Sequence, residues 1–286
     1  FYIILKIIIT FILLKMVLNF PPKRIICLTE ETVETLYLLG EEKRIVGVTG
    51  YAVRPKRVRL EKQRVGSFIS VNIEKIKKLK PELILTFSDV QANLTKQLIL
   101  EGFNVICFNQ KSISEIFSMI KYLGSLVGNI EGAIDLVIKL DNQINLIKRK
   151  NNKFKPKVYF EEWDDPYISA IGWVSEIIEI AGGVDIFEER SKAHKSKVRS
   201  VSSNEVICKN PDIIFASWCG KKVNFKKIKE RDGWDSISAI KTNSLFEIKS
   251  PIILQPGPAA LTDGLLQINN CIENWKKRYS LSLIHI

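Results

Sequence analysis

Two stretches of one chain decide its fold: VNIEKIKKLKPELILTFS at residues 71–88 and VSSNEVICKNPDIIFASW at residues 201–218. Aligned, they place Pro81 over Pro211, and each reads as a short helix, a proline break and an apolar strand. A unit that occurs twice points to an internal repeat.

Short β-rich runs alternate with amphipathic stretches on both sides of these segments. Before the linker come RIICL, EETVETLYLLG, RIVGV, NIEKIKKL, PELILTF, QANLTKQLILEG, NVICFN and SISEIFSMIKYLGSLVG. After Pro156 come KVYFEE, GWVSEIIEIAGG, SSNEVICKN, PDIIFASW, NFKKIKE, GWDSISAI, SLFEIK and PAALTDGLLQINNCIENW. Such alternation predicts an α/β fold with largely parallel sheets. Residues 131–150 carry apolar positions at Ile134, Val137, Ile138, Ile144 and Ile147 and read as one long helix. The expected organisation is an N-terminal α/β lobe over 23–130, a linker helix over 131–150 and a C-terminal α/β lobe over 151–278.

The ends are set apart. Residues 1–22 are almost wholly apolar and fit a leader, a membrane anchor or an upstream non-native segment. Met16 is an alternative start, which would make 1–15 a foreign frame, and residues 279–286 read as a non-native tail.

A chain of 286 residues with 46% hydrophobic composition can bury a sizeable core. Its 43 Lys+Arg against 31 Asp+Glu give +12, but the basic residues fall in short scattered runs, which predicts a solvated lysine-rich surface and no nucleic-acid site. Five cysteines without CxxC spacing predict neither a disulfide framework nor a thiolate zinc site. Cys27 and Cys107 sit in apolar runs and are expected as small buried hydrophobes. With His194 and His285 the only histidines, no metal site and no resident cofactor are expected.

Parallel sheets gather ligands at the carboxyl ends of their strands. Those ends carry Glu30, Gly50–Tyr51, Ser88–Asp89, Glu162–Trp163 and Trp218. Within YFEEWDDPYISAIGWVSEIIEIAGG, residues 159–183, one strand, one loop and one helix are expected, with Trp163 presenting its ring to a ligand and Asp164 and Asp165 capping or solvating the turn before Pro166. Trp173 opens the following helix and has two readings, as a ligand contact or as packing under the loop.

Together RIICLTEETVETLYLLGEEKRIVGVTGY, VGSFISVNIEKIKKLKPELILT, the 159–187 stretch, PDIIFASWCG, RDGWDSISAIK and QPGPAALTDGL resemble the cobalamin- and iron-siderophore-binding class of substrate-binding proteins that feed ABC importers. The likeness covers residues 23–275. It implies two Rossmann-like lobes bridged by one rigid helix, a corrinoid or metal-chelate ligand in a cleft between them, no covalent chemistry, a monomer, and an ABC permease as partner. Ligand contacts are then expected from Glu30, Tyr51, Phe68, Ser88, Asp89, Glu162, Trp163, Trp173, Trp218 and Gln255. Permease docking is expected from Glu74 and, one residue off the repeat alignment, Glu205. The implied location is periplasmic or cell-envelope, and cytoplasmic if translation starts at Met16.

The rival readings are a hydrolase using Glu161, Glu162 or Asp164 as paired carboxylates, and a cytoplasmic chelate scavenger of the same fold. Adjacent strand residues face opposite ways, so Glu161 and Glu162 do not form such a pair, and no G-x-S-x-G, H-E-x-x-H or P-loop motif replaces them.

Overall fold

The computed structural model describes residues 20–150, 154–193 and 195–284. The apolar stretch 1–19, His194 and His285 lie outside them, and so do the leader and histidine readings. The chain forms two compact units: one takes in the chain up to Gln110 with Phe117–Val137, the other Lys111–Ile116 with the chain from Ile138 onward. The long helix spans Ile130–Lys150.

The first unit holds five parallel strands, β1 (Ile25–Cys27), β2 (Ile45–Thr49), β3 (Arg64–Gly66), β4 (Leu83–Phe87) and β5 (Val105–Phe108), in the order β3-β2-β1-β4-β5. The order reverses between β1 and β4, so the loops after these two strands flank a switch point. Ile26, Leu28, Val65, Ile76, Ile84, Leu94 and Leu98 fill the core on one side of the sheet.

In the second unit β6 (Lys157–Asp164) pairs in parallel with β9 (Ile213–Ala216) and with β8 (Val184–Asp185), β9 pairs with β10 (Leu245–Glu247), and β7 (Tyr167–Ser169) runs antiparallel to β6. The 159–183 stretch is therefore a hairpin followed by a helix (Gly172–Ile180), a correction to the single strand and loop expected there. Trp163 and Asp164 belong to the strand.

The repeat is present in the contacts themselves. Asn72 accepts the Lys75 N–H at 2.8 Å to start the helix Ile73–Leu79, and Ser202 accepts the Glu205 N–H at 3.3 Å to start Ser203–Lys209. Each helix stops on a left-handed residue, Lys80 (φ 44°) or Asn210 (φ 45°), ahead of a proline that cannot continue it. The last carbonyls are capped in kind: Arg24 donates to Leu79 O at 2.9 Å and Lys157 to Lys209 O at 2.9 Å. The strands that follow, β4 and β9, are buried along their whole length, as apolar runs in the middle of a parallel sheet are.

β5 lies at a sheet edge, which leaves Cys107 exposed and corrects the buried reading. Cys27 is buried, and desolvation pushes its thiol up to about 12, so it is inert. Residues 279–284 continue the helix Leu265–Ile284, and Tyr279 stacks on Trp275 with centroids 5.0 Å apart. Among the described residues no helix is long and apolar enough to cross a membrane.

Candidate functional site

Ile25 lies opposite Leu83 in the first sheet and Val158 opposite Ile213 in the second. By the same residue count Glu30 corresponds to Trp163 and Ser88 to Trp218, although Glu30 opens a helix where Trp163 still belongs to β6. Both switch points thus carry residues expected at the ligand.

At the first switch point the helix Glu30–Leu38 begins immediately after β1, and Glu30 and Glu31 are buried in its first turn. Glu30 accepts the Val53 N–H at 3.1 Å. Burial pushes its carboxyl up to about 8 against that hydrogen bond, and burial pushes Glu31 up to about 7. Thr29 lies beside Glu31 and eases that shift, yet neither Glu31 oxygen completes a hydrogen bond among the described residues. Glu34 is paired with Arg54 at 2.9 Å.

Tyr51 is 46% exposed and meets half-buried Phe68 edge to face, with centroids 6.5 Å apart. Ser88 is buried in a left-handed turn (φ 53°), its N–H on Phe108 O at 2.7 Å, while Asp89 is exposed. Gln91 ties this end together: its amide nitrogen donates to Leu28 O at 3.1 Å and to Phe68 O, and its oxygen accepts the Phe87 N–H at 2.8 Å. Sequence reading missed Gln91 because a fully buried glutamine in a polar turn looks like any surface residue.

At the second switch point Glu161, Glu162 and Asp164 each have a cation. Glu161 is fully buried and takes a bidentate pair from Arg231 at 2.5 and 3.0 Å, plus the Trp218 indole N–H at 3.1 Å. Arg231 sits in the corner formed by the rings of Tyr167 and Trp234, 4.2 and 4.4 Å from their centroids. Glu162 accepts two hydrogen bonds from buried Arg199, at 2.6 and 3.1 Å, which hold its carboxylate from the protein side.

Asp164 is a further correction: it is buried, bonded by Lys221 at 2.5 Å and Lys227 at 2.7 Å. Against the upward push of burial, these lysines hold its carboxyl below the usual range. The same contacts show that Lys221 and Lys227 are not simply solvated.

Trp173 is 2% exposed and donates to Ile253 O at 2.9 Å, so it packs in the core and the ligand-contact expectation is corrected. Trp218 is also buried, in a cluster with Tyr159 and Trp234. Trp163 is half-buried, its indole N–H on Asp165 O at 2.9 Å, and the Lys221 ammonium lies 4.1 Å from its ring centroid and 5.0 Å from that of Trp218. Gln255 is half-buried. Glu74 is open to solvent, with Lys77 at 3.6 Å. Glu205 is engaged in a capping box with Ser202 and in a pair with Arg190. Among the described residues no group of His, Cys, Asp and Glu side chains is placed to hold a metal ion.

Two α/β units whose sheets each open a switch point lined by aromatic and polar side chains define a ligand-binding protein. The chain belongs to the family described as Periplasmic binding protein, whose model matches residues 25–252. It is 27% identical over 262 residues, 88% of this chain and 80% of the other, to a Bacillus subtilis protein named an uncharacterized ABC transporter substrate-binding lipoprotein. It is 29% identical over 203 residues, 69% of this chain and 71% of the other, to the vitamin B12-binding protein of Vibrio cholerae. A solved structure described as a possible iron-binding, periplasmic solute-binding protein from Staphylococcus epidermidis superposes with a TM-score of 0.74 at 27% identity, covering 87% of this chain and 98% of that one.

Proposed function

We propose that this chain is the substrate-binding component of an ABC importer that captures a corrinoid or another metal chelate, a ferric siderophore or haem, and hands it to a membrane permease. The observation that carries the reading is ring area left accessible at the carboxyl ends of both sheets, Tyr51 and Phe68 in one unit and Trp163 in the other, with Glu30, Ser88 and Trp218 buried at the same switch points. Large chelates are gripped by apolar ring area with a few fixed polar groups. Asp89 and Gln255 are the proposed ligand contacts beside them, and the names of the relatives from Vibrio cholerae and Staphylococcus epidermidis support this ligand class.

No chemistry on the ligand is proposed. A hydrolase needs a carboxyl free to give or take a proton, whereas Glu161, Glu162 and Asp164 are each held by a cation. The proposed location is the cell envelope, supported by the family and by the Bacillus subtilis relative named a lipoprotein. Glu74 is the proposed permease-docking carboxylate of the first unit. In the second unit the docking role of Glu205 is confined to the part of its side chain, 39% exposed, that the capping box leaves open.

Native mass spectrometry of protein purified from its own host tests the reading. A retained corrinoid, haem or ferric chelate is expected, and a retained sugar, peptide or amino acid would overturn it.

A further inference from the structure

We infer that Lys221 determines specificity: its ammonium, seated over Trp163 and Trp218, meets an oxyanion on the rim of the bound chelate. This rests on the binding function proposed above and narrows it to chelates bearing a peripheral carboxylate, phosphate or similar group.

The geometry begins at the carboxyl end of β9. Gly220 takes a left-handed turn (φ 75°), and the Lys221 N–H returns to Trp218 O at 3.3 Å. The side chain therefore runs back over the two indoles, its nitrogen 4.1 Å from one centroid and 5.0 Å from the other, with Asp164 at 2.5 Å. Two ring faces and a carboxylate fix one ammonium in place, far more constraint than a surface lysine has.

Burial sets the sign of what a ligand meets. The carboxylates are inside, Glu161 0%, Asp164 2% and Glu162 21% exposed, and their guanidinium partners Arg231 and Arg199 are buried with them. The lysines are outside, Lys221 42% and Lys227 52% exposed. Asp164 is a single charge shared by both, and of the two ammonium groups the one seated on the indoles at the rim is that of Lys221. Exposed Asp165 lies on the Lys227 side of that group. A ligand reaching the Trp163 ring meets an ammonium rather than a bare indole, and an apolar or cationic rim would strip water from the N–H groups that Asp164 leaves open.

The test uses the full chain and two probe pairs: haemin with its dimethyl ester, and cyanocobalamin, which carries a phosphodiester, with dicyanocobinamide, which lacks it. Binding is read by tryptophan quenching in the native chain, Lys221→Gln and Lys221→Arg, with thermal melts confirming that each variant folds. The oxyanion-bearing member of at least one pair is expected to bind more tightly, to lose about 10- to 100-fold in Lys221→Gln and to recover most of it in Lys221→Arg, while its mate without the oxyanion changes little. Equal affinity within both pairs, or equal loss for both members, overturns the role of Lys221 and leaves the binding function standing. No binding of any of the four overturns both.

Discussion

Arg231 clasps the fully buried carboxylate of Glu161 across 70 residues of sequence, with both of its terminal nitrogens bonded. Burial pushes the Glu161 carboxyl up, while every partner it has is a donor, including the Trp218 indole N–H and the Tyr159 hydroxyl, and these work for the anion. Arg231→Met leaves the charge buried alone and is expected to cost about 3–5 kcal/mol, read from the urea midpoint. Adding Glu161→Leu should restore most of the loss, and a double variant as unstable as the single one contradicts this account of the pair.

Glu30 and Glu31 give the first unit a pH dependence. Both hold their protons more tightly folded than unfolded, at about 8 and about 7 against 4.5 for the free side chain. Their contribution is complete below the unfolded value and is lost as pH rises through 7 and 8, because charge then has to exist in a buried site. Melting temperature should fall from pH 5 to pH 9, and Glu31→Gln should flatten part of that slope. A stability that rises across this range rules the assignment out.

Gln91→Leu removes the amide that joins Leu28, Phe68 and Phe87 and orphans three backbone groups. A loss of about 1–3 kcal/mol for each group left unsatisfied is the expected scale. Hydrogen exchange should quicken at Phe87, and chelate affinity should weaken because Phe68 is no longer pinned. Unchanged exchange at Phe87 would show that the amide does not hold the strand end.

Glu162→Gln separates support from contact. Arg199 is 2% exposed, and Glu162 is the acid that neutralises it. The substitution should lower stability by about 1–3 kcal/mol while leaving chelate affinity within about twofold. A stable variant with weakened binding would return Glu162 to the ligand.

The parts of the fold that repeat were legible in the sequence, since a helix, a proline and an apolar strand each leave a local signature. The strand-to-loop boundary at Trp163 was not. Asp165 and Pro166 signalled a turn, but the pairing of Tyr167–Ser169 with β6 is a tertiary choice. Asp164 looked like a solvated turn residue because its two lysines lie 57 and 63 residues away. Trp173 and Trp163 carry the same ring ten positions apart, and only packing distinguishes the one on Ile253 from the one beneath Lys221.

The most direct measurement is isothermal titration of the full chain with cyanocobalamin, haemin and a ferric siderophore. Saturable one-to-one binding of at least one, at micromolar affinity or tighter, is the result predicted. Cooperatively folded protein that takes up none of the three would contradict the claim that this chain carries a metal chelate.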